Sequence, residues 1–413
     1  MGIPKTQVGE IAERGERTVP DPLATRAVHA GEEKHKPYGA LTTPVVQTST
    51  FTFADGAEIA QFMRRKAEGE STNRYEYGRY GNPTEQAAEC KMAALEGGEQ
   101  ALLFASGMAA ISTTLLALLS SGDHLVVTSD CYHRSREFAR SFLTRWGIAV
   151  TLAPIDQPQA LAAACTPRTR AIFAETPTNP YLRVVDLERV AAIAATRGIA
   201  TIVDSTFATP VNLRPLEHGI DLVIHSASKY LGGHNDLLAG VVVGARQALT
   251  PIAHARGVLG GTSSPHDAYL LLRGLKTLTV RVARQNENGW RVAQYLEGHP
   301  AVRRVWYPGL ASHPDHAVAQ RQMCGFGGVV SFEIAGGFDE TSRFIDRLQL
   351  PYIGPTLGGV ESIVQQPAAL FSLRVEDRQA AGLKDNLVRY ALGIEDADDL
   401  IADLQQALCG VCA

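Results

Sequence analysis

The sequence is poor in cysteine, with six in 413 residues, at positions 90, 131, 165, 324, 409 and 412. A set so sparse and scattered does not make a disulfide framework. It fits a reducing compartment, and a cytoplasmic location is expected. Cys409-Gly-Val-Cys412 has the spacing of a redox or metal pair, but no second ligand pair lies near it, and it reads as two thiols on a frayed tail. Long apolar runs are also missing. The longest, Ala109 to Leu119, is interrupted by Ser112, Thr113 and Thr114, and a membrane span needs about 20 residues. The first twenty residues carry both charge signs and no apolar stretch, so no secretory signal is expected there. Their acidic content also argues against an organelle transit peptide. Neither charge dominates, since 39 basic against 43 acidic residues leave a net −4. Neither nucleic acid nor an anionic membrane is expected as a partner. Internal repeats and low-complexity segments are absent too.

What is present is a globular composition, 45% hydrophobic and 20% charged, in a chain too long for one simple core. Three parts are expected: an N-terminal arm and subunit-contact segment over 1–78, an α/β domain over 79–272, and a smaller α+β domain over 273–413. Residues 1–24 read as a polar arm. The stretch that follows is irregular, with strand-like Val45-Val46 and Thr50 to Phe53. Helix and apolar strand then alternate. Gly81-Asn82-Pro83-Thr84 starts a helix through Leu95 that Gly97-Gly98 stops. Gln100 to Phe104, His124 to Thr128, Ala149 to Leu152, Ala171 to Ala174 and Thr201 to Val203 read as strands. Ser106 opens a helix after the first of them. Asp186 N-caps another, in which Leu187, Val190, Ala191 and Ala194 share a face. Strands without alternation, separated by helices, predict a parallel sheet covered on both sides. Beyond residue 272, helical segments from Leu275 to Leu296 lead to strand-like Val302 to Trp306 and Gly328 to Glu333. The latter alternates, as in a half-exposed antiparallel sheet. His313-Pro-Asp-His316 has a metal-like spacing, but proline breaks a helical presentation and it reads as a surface turn. Asp398 to Leu408 closes the chain as a helix.

Chemistry-bearing residues cluster at the predicted carboxyl ends of strands, where open α/β sheets bind ligands. Lys229 lies in a polar, glycine-flanked break, Ser226 to Asp236, between the apolar runs Ile220 to Ile224 and Leu237 to Val243. A lysine beside a buried strand is either paired or neutral, and a neutral amine is a nucleophile. Ser106-Gly107-Met108 forms a small-residue turn into a helix, a cradle for phosphate. Asp204 ends an apolar strand, where a carboxylate is costly without a cation. Glu175-Thr176-Pro177-Thr178-Asn179-Pro180 is a rigid polar turn after another strand. Taken singly, each has a plain reading as a helix cap, a turn or a loop lysine. Together, an amine nucleophile, an anion cradle and a buried carboxylate suit pyridoxal phosphate (PLP).

The sequence resembles the Cys/Met-metabolism family of PLP enzymes from Val28-His29-Ala30-Gly31 to Gly393-Ile394-Glu395-Asp396. That family includes cystathionine γ-synthase, the cystathionine γ- and β-lyases, methionine γ-lyase and homoserine-ester sulfhydrylases. The resemblance is greatest to the plant-type cystathionine γ-synthase branch. It rests on Glu76 to Thr84, His225 to Asp236, Leu259 to Thr262, Gly325 to Glu333 and Lys384 to Arg389.

The resemblance implies an aspartate-aminotransferase-like, fold type I, large domain with a mostly parallel sheet. It makes Lys229 the Schiff-base lysine, Asp204 the partner of the cofactor's pyridine nitrogen, and Tyr132 the ring-stacking residue and an aid to proton transfer. Ser106, Gly107, Met108, Thr206, Ser226 and Ser228 join the cofactor site, with Asn179 beside its phenolic oxygen. Tyr77 and Arg79 reach the phosphate of a neighbouring subunit in a homotetramer. Arg389 and Ser362 meet the substrate carboxylate, and Glu361 matches members that act at the γ-carbon. The implied reaction is γ-replacement on an O-acylated or phosphorylated homoserine by a thiol such as cysteine, with γ-elimination as the alternative. Four departures stand out: Ser205, Ser228, Gln366 and Ala391 occupy positions where asparagine, threonine, histidine and serine are usual. The last two bear on substrate preference.

Overall fold

The computed structural model describes residues 22–70, 74–155, 158–370 and 382–409. Most of the expected arm, and Cys412, lie outside them. Seven strands form the larger sheet: β1 (Gln100–Phe104), β2 (His124–Thr128), β3 (Ala149–Ala153), β4 (Thr169–Glu175), β5 (Ala200–Asp204), β6 (Leu222–Ser226) and β7 (Gly240–Gly244). Their order is β1-β7-β6-β5-β4-β2-β3. Adjacent strands run parallel except β7, which is antiparallel to both of its neighbours. Its apolar sequence carries no sign of direction. The connection decides it, because Ala227 to Ala239 holds no crossover helix and a parallel return needs one. Lys229 lies in that connection.

Caps fix where the helices begin. Asn82 accepts from Thr84 N at 2.8 Å ahead of Pro83–Glu96, and Gly97 ends that helix at φ 76°. Ser106 accepts from Ala109 N at 3.1 Å ahead of Gly107–Leu118. Asp186 accepts from Arg189 N at 3.2 Å ahead of Leu187–Ala195. Helix Gly107–Leu118 buries Ala110, Ile111 and Leu115 against Leu102, Phe104, Phe173, Ile202 and Ile224 on one sheet face. Helix Leu187–Ala195 covers Val126, Ile172, Ala174 and Val203 on the other. Among the described residues no helix is long and apolar enough to cross a membrane.

The second sheet holds β8 (Val302–Trp306), β9 (Val329–Ile334), β10 (Tyr352–Ile353), β11 (Ile363–Gln365) and β12 (Leu387–Ala391), in the order β10-β11-β12-β9-β8. One face packs on helices Leu278–Glu297 and Ala397–Leu408 through Val330, Phe332, Val388 and Tyr390. The other carries Ser331 and Arg389 towards the first sheet, where Ser331 Oγ donates to Pro180 O at 2.7 Å. Strand β9 is therefore buried on both faces and not half-exposed as its alternation suggests. Its polar residues meet protein instead of water, Ser331 at Pro180 and Glu333 at Trp306 and Lys384.

Three further expectations differ from the structure. Position 272 falls inside helix Pro265–Leu275, and the chain turns at Lys276-Thr277 before the long helix. Val45-Val46 and Thr50 to Phe53 form no strand beyond a single Thr50–Tyr77 bridge. Val46 spends its backbone groups on Thr84 Oγ1 and Asn82 Nδ2 instead. His313 lies in a turn as expected but is buried, with its ring edge-on to Trp306.

Candidate active site

Asp204 ends β5 and is 7% exposed. Its Oδ1 accepts from Thr206 N at 3.0 Å and from Thr206 Oγ1 at 2.5 Å. Burial raises its pKa, against the pull of Thr206 and the His225 ring. Thr206 Oγ1 in turn accepts from Ser226 N at 2.8 Å. One hydroxyl thus ties the ends of β5 and β6.

Ser226 borders the N-terminus of helix Gly107–Leu118. A Cβ at Gly107 would sit 2.9 Å from Ser226 Cβ and 3.1 Å from its Oγ, so only glycine allows this approach. The N–H groups of Gly107 and Met108 head the helix and have no acceptor within it. They lie at its positive end.

Lys229 follows β6 and is half-buried. Its Nζ donates to Thr356 Oγ1 at 2.8 Å. Burial lowers its pKa to about 8, and the Arg389 cation adds to the effect. Arg389, on β12, is 3% exposed. It donates through Nη2 to Thr356 O at 2.9 Å and through Nη1 to Asn179 Oδ1 at 3.1 Å, while its Nε–H finds no acceptor among the described residues. Burial lowers its pKa to about 10, so it remains a cation at neutral pH. Tyr132 follows β2 with its ring partly exposed, and its backbone N donates to Glu175 Oε2 at 2.5 Å. Burial raises the phenol, with Glu175 opposing the cations Arg134 and Arg389.

An amine, an anion-ready helix end, a buried carboxylate and an unsatisfied arginine therefore converge between the two sheets. Over residues 24–409 the sequence matches the family described as Cys/Met metabolism PLP-dependent enzyme. The chain belongs to that family. It is 49% identical over 386 residues to cystathionine gamma-synthase 1, chloroplastic, of Arabidopsis thaliana, covering 92% of this chain and 68% of that one. It is 42% identical over 391 residues to the L-methionine gamma-lyase of Fusobacterium nucleatum subsp. polymorphum, covering 94% and 98%. Among solved structures, cystathionine gamma synthase from Xanthomonas oryzae pv. oryzae, in complex with aminoacrylate and cysteine, matches with a TM-score of 0.89. That match has 39% identity and covers 95% of this chain and 99% of that one. The protein is a PLP-dependent enzyme of fold type I, from a family at work in trans-sulfuration.

The residues of this family member fit its cofactor. The glycine-lined helix end suits a phosphate, the buried Asp204 suits a cationic ring nitrogen, and the depressed amine of Lys229 suits a carbonyl carbon.

Other expected site residues have local partners of their own. Ser228 Oγ is engaged with Ala239, accepting from its N at 3.0 Å. Ser362 is fully buried, and its Oγ donates to Glu395 Oε2 at 2.9 Å and accepts from Gly393 N at 2.9 Å. Its hydroxyl is thus committed elsewhere than Arg389. Glu361 is exposed and accepts from Asn235 Nδ2 at 3.0 Å. Tyr77 is exposed, and Arg79 stacks on Tyr80 and donates to Gly257 O. The Met108 thioether lies 3.9 Å from Ser135 Oγ.

Gln366 holds the carbonyls of Phe338 and Asp385 at 3.0 and 2.8 Å, and Ala391 is core. Thr356, which touches both Lys229 and Arg389, escaped the sequence reading. Gly354-Pro355-Thr356 looks like any turn, and only the fold brings it to a lysine 127 positions away.

Proposed function

We propose that the protein catalyses γ-replacement on an O-acylated or phosphorylated homoserine. The thiol of a small molecule such as cysteine forms the new C–S bond. The γ C–O bond breaks, and the acid leaves. The observation that carries the reading is Thr356, which receives the Lys229 amine on its hydroxyl and Arg389 on its carbonyl. It sets a proton-transferring amine beside a carboxylate-binding cation, the spacing an α-amino acid requires.

Pyridoxal phosphate, when bound, supplies an electron sink that stabilises negative charge next to the substrate amine. Lys229 would hold the cofactor covalently, and Asp204 would keep its ring nitrogen protonated. The N–H groups of Gly107 and Met108 and the hydroxyls of Ser226 and Ser228 would cradle its phosphate, with Ser106 capping the helix and Thr206 holding Asp204. Asn179, already bonded to Arg389, would lie beside its phenolic oxygen, and Tyr132 would cover its ring. Once freed by substrate, Lys229 takes the proton from Cα and moves protons at Cβ, as an amine poised near neutral pH can. Arg389 binds the α-carboxylate, its Nε–H, which has no acceptor among the described residues, completing a forked contact. Glu361, exposed and held by Asn235, would face the incoming thiol.

Elimination uses the same groups, and the methionine gamma-lyase relative supports it as the second reading. The test gives the enzyme O-succinyl-, O-phospho- and O-acetylhomoserine, each with and without cysteine. Cystathionine is expected to be the main product when cysteine is present. A dominance of 2-oxobutanoate and ammonia at saturating cysteine would make the protein a lyase.

The exposed rings of Tyr77 and Tyr80, with half-buried Arg79 between them, support a further reading, a homotetramer in which Tyr77 and Arg79 complete a neighbour's phosphate site. Lys229→Ala and Arg79→Ala proteins should each be nearly inactive alone. Co-expressed, they should recover about a quarter of wild-type activity, because half of random dimers are mixed and one of two sites in each is intact. No recovery would mean that each chain builds its own site.

A further inference from the structure

Four neighbouring strands end side by side in the order β2-β4-β5-β6. The proposed site draws Tyr132 from the end of β2, Asp204 from β5 and Ser226 from β6. β4 ends in Glu175, whose carboxyl has no part in the chemistry described above. Register settles where it lies, for Glu175 stands directly opposite Asp204 across the parallel β4–β5 pair. Two residues back, Phe173 and Ile202 share one buried cluster with helix Gly107–Leu118. Side chains alternate along strands, so both carboxyls emerge on the face that bears the phosphate cradle. Their backbones are one strand spacing apart, about 4.8 Å. Glu175 is 4% exposed and Asp204 7%.

Two buried carboxyls so placed do not both ionise. Burial raises both, and repulsion by Asp204 lifts Glu175 further still. The surroundings decide which keeps the charge. Asp204 has two donors from Thr206 and the His225 ring behind it. Glu175 has the Tyr132 N–H and the Arg136 cation, with Asp130 acting against them and the buried Cys131 thiol alongside. With two donors on Asp204 against one on Glu175, the surroundings favour the charge on Asp204 and the proton on Glu175.

We propose that Glu175 is a positioning residue of the reaction centre. As a neutral acid it fixes the Tyr132 backbone at a set distance from Asp204 and leaves the charge of the row on Asp204. The proposal rests on the reading of Lys229, Asp204 and Tyr132 above, and adds to it the residue that joins the ring-covering side chain to the ring-nitrogen partner.

Glu175→Ala removes the acceptor. Its kcat should fall roughly 10- to 100-fold with KM changed less than about threefold. In the cofactor-free protein the Tyr132 amide hydrogen should exchange about tenfold faster or more. Glu175→Gln keeps a neutral acceptor. It should restore most of the lost kcat, slow Tyr132 exchange, and an unchanged pH profile of the bound cofactor's visible absorbance. The proposal is overturned if the glutamine protein is as impaired as the alanine one, or if its absorbance profile moves by more than about half a pH unit. Glu175 would then be supplying charge. Wild-type kcat and wild-type Tyr132 exchange in the alanine protein would overturn it equally. Should the alanine protein fail to fold, judged by its urea midpoint, the glutamine protein decides alone. Tyr132 exchange without cofactor is independent of Lys229, so failure here and failure of the Lys229 assignment are told apart.

Discussion

Replacing Lys229 by alanine is expected to abolish the visible absorbance of covalently held cofactor and to lower kcat by at least about 10⁴-fold. Two functions are lost at once, the attachment point and the base that moves protons at Cα and Cβ. The protein should still fold, because among the described residues Lys229 Nζ makes one side-chain bond, to Thr356, and a half-buried amine depressed to about 8 is a burden on the fold. The depression also sets a pH dependence. Below about 8 the free-amine fraction of Lys229 in the cofactor-free protein rises tenfold per pH unit, and above it the fraction levels off. Attachment of added cofactor, followed by absorbance at its visible band, should follow that curve. A rate that keeps rising to pH 10 would mean an unshifted lysine.

The second large effect concerns Arg389. Arg389→Ala should lower kcat/KM by about 10³-fold, near 4 kcal/mol, the size of a lost forked bond to a carboxylate in a buried site. Arg389→Lys should recover little, since one ammonium cannot reproduce the fork or hold Asn179 Oδ1 and Thr356 O together. A pH signature accompanies the loss. The Arg389 cation helps to depress Lys229, so its removal should move the Lys229 titration upward and require higher pH for the same free-amine fraction. A wild-type kcat/KM in the alanine protein would place the substrate carboxylate elsewhere.

Much of this site was legible before the fold was seen, for a physical reason. Lys229, Asp204 and Ser106 to Met108 each interrupt or end an apolar run, and a polar group there demands a partner. The strand ends then fall where an α/β sheet gathers ligands. What was not legible depends on distance in sequence. Thr356 meets Lys229 across 127 positions, and the pairing of Glu175 with Asp204 needs the β4–β5 register. Periodicity misled once at β9, because alternation records which side chains are polar and not whether water or another domain faces them. The direction of β7 was hidden for a related reason, since Gly240 to Gly244 is apolar on both faces and reads alike in either direction. The bond from the Ser362 hydroxyl to Glu395 was equally out of reach of the sequence, 33 positions apart.

The most direct measurement of the central assignment is to reduce the cofactor-loaded enzyme with borohydride, digest it and locate the modified peptide by mass spectrometry. The reduced pyridoxyl phosphate is expected on the peptide that carries Lys229, in near-stoichiometric amount, and on no other lysine. A label on another lysine, or none at all, would contradict the account.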